Sequence, residues 1–187
     1  MDIRYLEVTL HPRFLDALFA YKSQAMNIFR DVLGLYDIHH LAVARVDQQG
    51  QLISFSSTPA MEFNLFNSEL WRYDLCYRAQ WFTQYTQASW AALYEKTRCD
   101  ELYYLKQIKH AYRTTRCLAA RMGNETFIYA LASQYESPEL EERFVQQVDE
   151  FYKIGQYCTN LLLPYFEQCE TESTPILSRM RENEVSS

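Results

Sequence analysis

Between Trp71 and Tyr94 the chain carries Trp71, Tyr73, Asp74, Tyr77, Trp81, Phe82, Tyr85, Trp90 and Tyr94, more rings than a helix needs for packing alone. Small-molecule sites are concave and mostly apolar, oriented by a few polar tips, and Tyr and Trp supply both an apolar wall and a hydrogen-bonding handle. Asp74 lies three residues after Trp71 and three before Tyr77, so on a helix all three share one face. A carboxylate set in an aromatic wall can accept a hydrogen bond from a ligand amide or amine and fix its orientation. The candidate ligand-binding residues are therefore Trp71, Tyr73, Asp74, Tyr77, Trp81 and Trp90. The competing reading is that the rings are ordinary core and that Asp74 pairs with Arg72 or Arg78 at the surface.

Other chemistry is sparse. The neighbouring pair His39-His40 invites a metal or acid–base role, but neighbours in a strand point to opposite faces and a metal needs three or more converging donors. One packed and one solvated ring at a strand edge is the plainer expectation. Cys76 and Cys158 read as small buried hydrophobes. The chain has no G-x-G-x-x-G, P-loop, G-x-S-x-G or H-E-x-x-H signature, and with only 4 Gly it has few places to cradle a phosphate. The expectation is a protein that is not an enzyme and uses no cofactor or metal.

Several elements must position the aromatic segment. His11-Pro12 opens a predicted helix reaching about Leu33, stopped by Gly34. Residues 41–46 and 51–57 are β-rich runs around Asp47-Gln48-Gln49-Gly50, a hairpin. An extended run near Met61 to Phe66 follows, then a helical stretch over residues 68–94. Asp100 can cap a short helix holding Leu105, Ile108 and Tyr112, and residues 116–122 and 125–133 flank Gly123-Asn124 as a second hairpin. Ser137-Pro138-Glu139 starts a last helix with an N-cap, a first-turn proline and acids at the positive end of its dipole. Its stripe of Leu140, Phe144, Val148, Phe151, Cys158, Leu162 and Tyr165 exceeds what covering a small sheet requires, which suggests a helix partner as well. The fold class is thus α+β, an α/β sandwich in which an antiparallel sheet of two or more hairpins is flanked by helices.

The 187 residues favour one domain, over 1–169, with 170–187 as a linker or disordered tail on the strength of Glu170-Thr171-Glu172-Ser173-Thr174-Pro175. A net charge of −6 argues against nucleic-acid binding by this chain alone, because that affinity comes from clustered Lys and Arg. Five cysteines without a C-x-x-C pair, no leader-like N-terminus and no apolar run of membrane-spanning length point to a cytoplasmic protein with no membrane association. Export by a specialised secretion machine stays open.

The order helix, hairpin, helices, hairpin, long helix is similar to PAS and GAF type sensing domains. More specifically, the chain resembles the N-terminal signal-sensing, autoinducer-binding domain of LuxR-family transcription regulators, in a divergent form. The resemblance is carried by Gly34-Leu35-Tyr36-Asp37-Ile38-His39-His40-Leu41-Ala42-Val43-Ala44-Arg45-Val46, by Leu65-Phe66-Asn67-Ser68-Glu69-Leu70-Trp71, and by Phe151-Tyr152 with Tyr165-Phe166. It spans most of residues 11–169. Residues 177–185 are similar to the start of that family's helix-turn-helix domain, with one residue too many. The branch that binds acyl-homoserine lactones uses a Trp, a Tyr and an Asp-Pro, whereas Tyr73-Asp74 is followed here by Leu75-Cys76, so no residue is carried over as a lactone ligand.

The resemblance implies a quorum-sensing type of regulatory domain that binds a small amphipathic signal molecule. It also implies pairing through the C-terminal helix, as a homodimer or with a related regulator. The alternative is a stand-alone protein-interaction module, an anti-activator or secreted effector, with no small-molecule ligand.

Overall fold

The computed structural model describes residues 3–172. Its centre is a six-stranded sheet, and the two expected hairpins form most of it. Strand β1 is Thr9–Leu10, β2 His40–Val46, β3 Gln51–Ser56, β4 Gln87–Ala88, β5 Thr114–Met122 and β6 Glu125–Ser133, in the order β1-β3-β2-β6-β5-β4. Each hairpin pairs antiparallel, and β2 joins them by running antiparallel to β6, with His40 opposite Ala132 and Val46 opposite Thr126. The edge strand β1 pairs parallel with β3, so the sheet is mixed. Asp47 builds the first turn by accepting the Gln49 and Gln51 N–H groups, each at 2.9 Å. Gly50 closes that turn at φ 82°, where a Cβ would lie 2.3 Å from the Glu7 carbonyl oxygen.

The two faces of the sheet differ in size of side chain. Alternation along the paired registers puts Leu41, Val43, Ile53, Phe55, Phe127, Tyr129 and Leu131 on one face. The other carries His40, Ala42, Ala44, Ser54, Ser56, Ala130, Ala132, Thr115, Cys117 and Ala119, with the larger Val46, Leu52 and Ile128 toward the far end of β2. The bulky face is covered by the C-terminal helices, α6 at Pro138–Gln146 and α7 at Val148–Glu172. Phe166 meets Phe55 at 4.9 Å and Phe127 at 6.2 Å, and Tyr152 meets Tyr129. Ser137 caps α6 as expected, accepting the Leu140 N–H at 3.1 Å. One long helix was expected, but the chain turns at Gln147 (φ −101°, ψ 31°). Leu140, Phe144, Phe151, Cys158 and Leu162 of the stripe are buried in the chain's own core.

Four other expectations give way to tertiary packing. The helix over residues 11–33 is two, α1 at Phe14–Ala20 and α2 at Lys22–Arg30, parted at Tyr21 (φ −104°, ψ 16°). They serve different layers: Phe14 of α1 packs on Phe66, while Tyr21 reaches Phe55 and Tyr165 on the bulky face. The run from Met61 to Phe66 is helical, not extended. It lies in α3, Pro59–Asn67, where Pro59 occupies the tolerated first turn and Met61, Glu62, Leu65 and Phe66 are buried at helical spacing.

The segment over residues 68–94 is not a long helix. It is a chain of short 3₁₀ turns with one brief helix, α4 at Ala79–Phe82, and strand β4. Glu69 sits at φ 61°, Arg78 is extended, and a single β-bridge ties Asp74 to Tyr94, so continuous helical geometry is broken at both ends. Helix α5 spans Cys99–Lys106; Asp100 lies in its first turn rather than at the cap, and Tyr112 lies beyond it, past left-handed Ala111 (φ 56°). Helix α7 continues through Glu172, and residues 173–187, including the stretch similar to a helix-turn-helix start, lie outside the described residues. Among the described residues no helix is long and apolar enough to cross a membrane.

Candidate functional site

Small residues leave room above a sheet, and the aromatic segment with α3 and α5 fills the space over the small-residue face. Asp74 projects into this layer fully buried. Its Oδ2 accepts from Lys106 Nζ at 2.5 Å and its Oδ1 from the Cys76 N–H at 3.3 Å. The competing reading, in which Asp74 pairs with Arg72 or Arg78 at the surface, gives way to a buried ion pair. Arg72 pairs with Glu69, and Arg78 with Glu95. Lys106 ends α5 and is 3% exposed, and its ammonium lies 4.5 Å from the Trp90 ring centre and 5.3 Å from that of Tyr94. A carboxylate and two aromatic faces thus surround one cation.

Trp90 is locked in place, its backbone N–H donating to Thr115 Oγ1 and its indole N–H to the Arg116 carbonyl, each at 3.1 Å. His40 meets it edge-on at 5.6 Å. His40 Nδ1 lies 2.9 Å from Thr58 Oγ1, which in turn lies 2.8 Å from the Tyr112 hydroxyl. Tyr94 donates its hydroxyl proton to Gln107 Oε1 at 3.0 Å. Glu62 of α3 is buried beside Ser56.

Burial dominates the protonation states here. It pushes the His40 imidazole down to about 3, helped by the Lys106 charge, and pushes the Glu62 carboxyl up to about 7, against the pull of Lys106. Burial is the largest influence on Lys106 and opposes its charge, but the Asp74 carboxylate together with Tyr94 and Cys76 outweighs it and holds the ammonium above its ordinary range. The Cys76 thiol is raised by burial and by neighbouring Cys117. At neutral pH the cluster therefore holds a neutral histidine, a paired lysine and a carboxyl poised between its two forms.

Four buried polar atoms in this half of the core have no hydrogen-bond partner among the described residues: His40 Nε2, Ser54 Oγ, Glu62 Oε2 and Trp71 Nε1. An orphaned buried polar atom costs about 1–3 kcal/mol, and folded proteins keep few of them.

Of the residues singled out in the sequence, the structure brings Asp74 and Trp90 to the same ammonium. Trp71 and Tyr77 are buried together around Phe66, with Trp71 stacked on it at 5.8 Å. Tyr73 is half-buried with the Arg98 guanidinium over its ring, and Trp81 is buried in α4. The shared helical face predicted for Trp71, Asp74 and Tyr77 does not form, because Asp74 is extended (φ −99°, ψ 108°) between two separate 3₁₀ turns. Lys106, Glu62 and His40 complete the cluster. Of the histidine pair, His40 is packed, and half-buried His39 accepts the Gln134 N–H at 3.0 Å.

The sequence matches no protein-family model and no curated protein. Among solved structures, the chain is similar to a crystal structure of Escherichia coli SdiA, with a TM-score of 0.49 and 10% identity over 86% of this chain and 69% of that one.

Proposed function

We propose that this chain is a non-enzymatic signal-sensing domain of the LuxR type, holding a small amphipathic ligand against the small-residue face of its sheet. The observation that carries the reading is the buried polar cluster walled by Trp90, Tyr94 and Tyr112, with His40 Nε2, Ser54 Oγ and Glu62 Oε2 unanswered. A core designed only for packing would put alkyl groups there. Trp71, Tyr77 and Trp81 then act as the outer wall, while Asp74 and Trp90 line the polar end and Tyr73 stands at the rim. Native mass spectrometry of protein purified from its own host, joined to melting curves with lipophilic extracts, tests this. A copurified small molecule or a raised Tm is expected; neither from any extract would overturn it.

One observation favours the interaction module instead. Asp74 already has its cation in Lys106, so its carboxylate asks nothing of a ligand. In that reading the domain works by pairing with a related regulator or another protein, and light scattering would record complex formation with no small molecule present.

A further inference from the structure

Resting on the sensor reading above, the identity of the missing partner can be narrowed by counting charges and hydrogen-bonding atoms. The cluster holds two carboxyl groups, Asp74 and Glu62, and one ammonium, Lys106. Lys106 and the Cys76 N–H satisfy both oxygens of Asp74. Glu62, 1% exposed, keeps Oε2 without a donor, and Ser54 Oγ on the same sheet face is also unanswered. The Ser54 hydroxyl can donate as well as accept and the Trp71 indole N–H is itself an unanswered donor, so the imbalance that bears on a ligand's charge is the second carboxyl, Glu62. Aromatic faces, with Trp90, Tyr94 and Tyr112 around the cluster, favour a cation over an anion.

A surface depression shares residues with the surroundings of the cluster. It has a volume of about 230 Å³ and is lined by Tyr103, Gln107, Ile108, Ala111, Tyr112 and Arg113. Two of these reach inward, Gln107 to the Tyr94 hydroxyl and Tyr112 to Thr58 and, through it, His40. Tyr112 is 7% exposed and separates the depression from the cluster. Exposed Ile108 lines the same depression, an apolar lip for an alkyl chain.

We infer that the cluster takes a small alkyl amine, whose protonated nitrogen pairs with Glu62 as Lys106 pairs with Asp74, while its alkyl chain leaves past Tyr112 toward Ile108. The groups facing Glu62 are Lys106 from α5, Asp74 and Tyr77 from the aromatic segment, Ser56 from β3 and Tyr112. Ser56 hydrogen-bonds the Glu62 carboxyl, and Oε2 still has no partner among the described residues. An ammonium there fixes Glu62 in its charged form, so binding releases a proton wherever the free carboxyl is still protonated.

The test titrates the full chain with octylammonium chloride, 1-octanol and sodium octanoate by calorimetry at about neutral pH. Octylammonium is expected to bind at least about tenfold more tightly than octanol, the scale of one charge-assisted hydrogen bond. Glu62→Gln is expected to erase that preference while octanol still binds. A second measurement needs no variant: in two buffers of different ionisation heat, octylammonium binding to the wild-type chain should release a proton at about pH 6 and less at about pH 8. Octanol or octanoate binding as tightly as the amine, or no proton release, would overturn the amine assignment and leave the sensor reading standing. If none of the three probes binds and no extract raises the Tm, both fall.

Discussion

Lys106 and Asp74 meet with 3% and 1% of their side chains exposed, and a pair at that depth is defined by what happens when one member leaves. Lys106→Met strands a carboxylate and Asp74→Leu strands an ammonium, so each should lower unfolding free energy by about 3–5 kcal/mol, and the double variant should recover much of the loss. Urea titration of the four proteins measures the coupling; additive losses would mean the pair is not linked. Glu62 and His40 add opposite pH dependences. A carboxyl raised from 4.5 to about 7 binds an extra proton in the folded state between those values, so its contribution to stability falls as pH rises through that window. Glu62→Gln should therefore gain about 3 kcal/mol over wild type above pH 7, the gap closing toward pH 4.5. His40 runs the other way, since its pKa falls from 6.5 to about 3 and stability drains as pH drops below 6.5. Thermal melts across pH separate the two, because Glu62→Gln removes only the first. In the sequence Asp74 and Trp90 announced themselves by type, whereas Lys106 and Glu62 are the charges usually left in water. The one hint at Lys106 was its place four residues after buried Leu102, on the inner side of α5.

At the scale of elements, legibility followed how local the cause was. The hairpin turns are written in Asp47 to Gly50 and in Gly123-Asn124, whose side chains and backbone freedom act within a few residues. Residues 68–94 carried no such signal, because their turns are held by partners far along the chain: Asp74 by Lys106, Trp90 by Thr115 and Arg116. Rings at three- and four-residue spacing then imitated a helix. The run at 61–66 reads as extended from its residues alone, but Pro59 opens a helix there, α3. Helix α7 offers a test of how closely the layers fit. A Cβ on Gly155 would lie 2.4 Å from the Tyr129 ring, and that ring is held between β6 and the helix. Gly→Ala in a free helix gains about 1 kcal/mol, but overpacking costs about 1–3 kcal/mol. Gly155→Ala should therefore lower the Tm, with exposed Gln156→Ala as the neutral control. A rise in Tm at Gly155 would mean the two layers can part without cost.

Across the whole molecule the sheet divides the labour, with a bulky face bound to α7 and a small-residue face given over to the polar cluster. This arrangement answers the excess length of the α7 stripe. Its apolar side is spent on Phe55, Phe127 and Tyr129, and half-exposed Tyr157 on its flank donates its hydroxyl to Asp31 at the end of α2 at 2.6 Å. Arg45, buried under Phe166, joins Glu170 near the end of α7, so the helix is anchored along nearly its full run. Pairing of two chains through α7 must then use its outer side, where Tyr157 is 44% and Leu161 42% exposed, while adjacent Leu162 is fully buried. These two leucines separate folding from association. Leu162→Lys loses apolar burial and forces an ammonium into the core, so it should fail to fold stably. Leu161→Lys touches only the surface and should stay within about 0.5 kcal/mol of wild type in urea. If chains pair along this side, light scattering should show Leu161→Lys at half the wild-type mass with its melting curve retained at low concentration. An unchanged dimer mass in Leu161→Lys would move the pairing surface off α7.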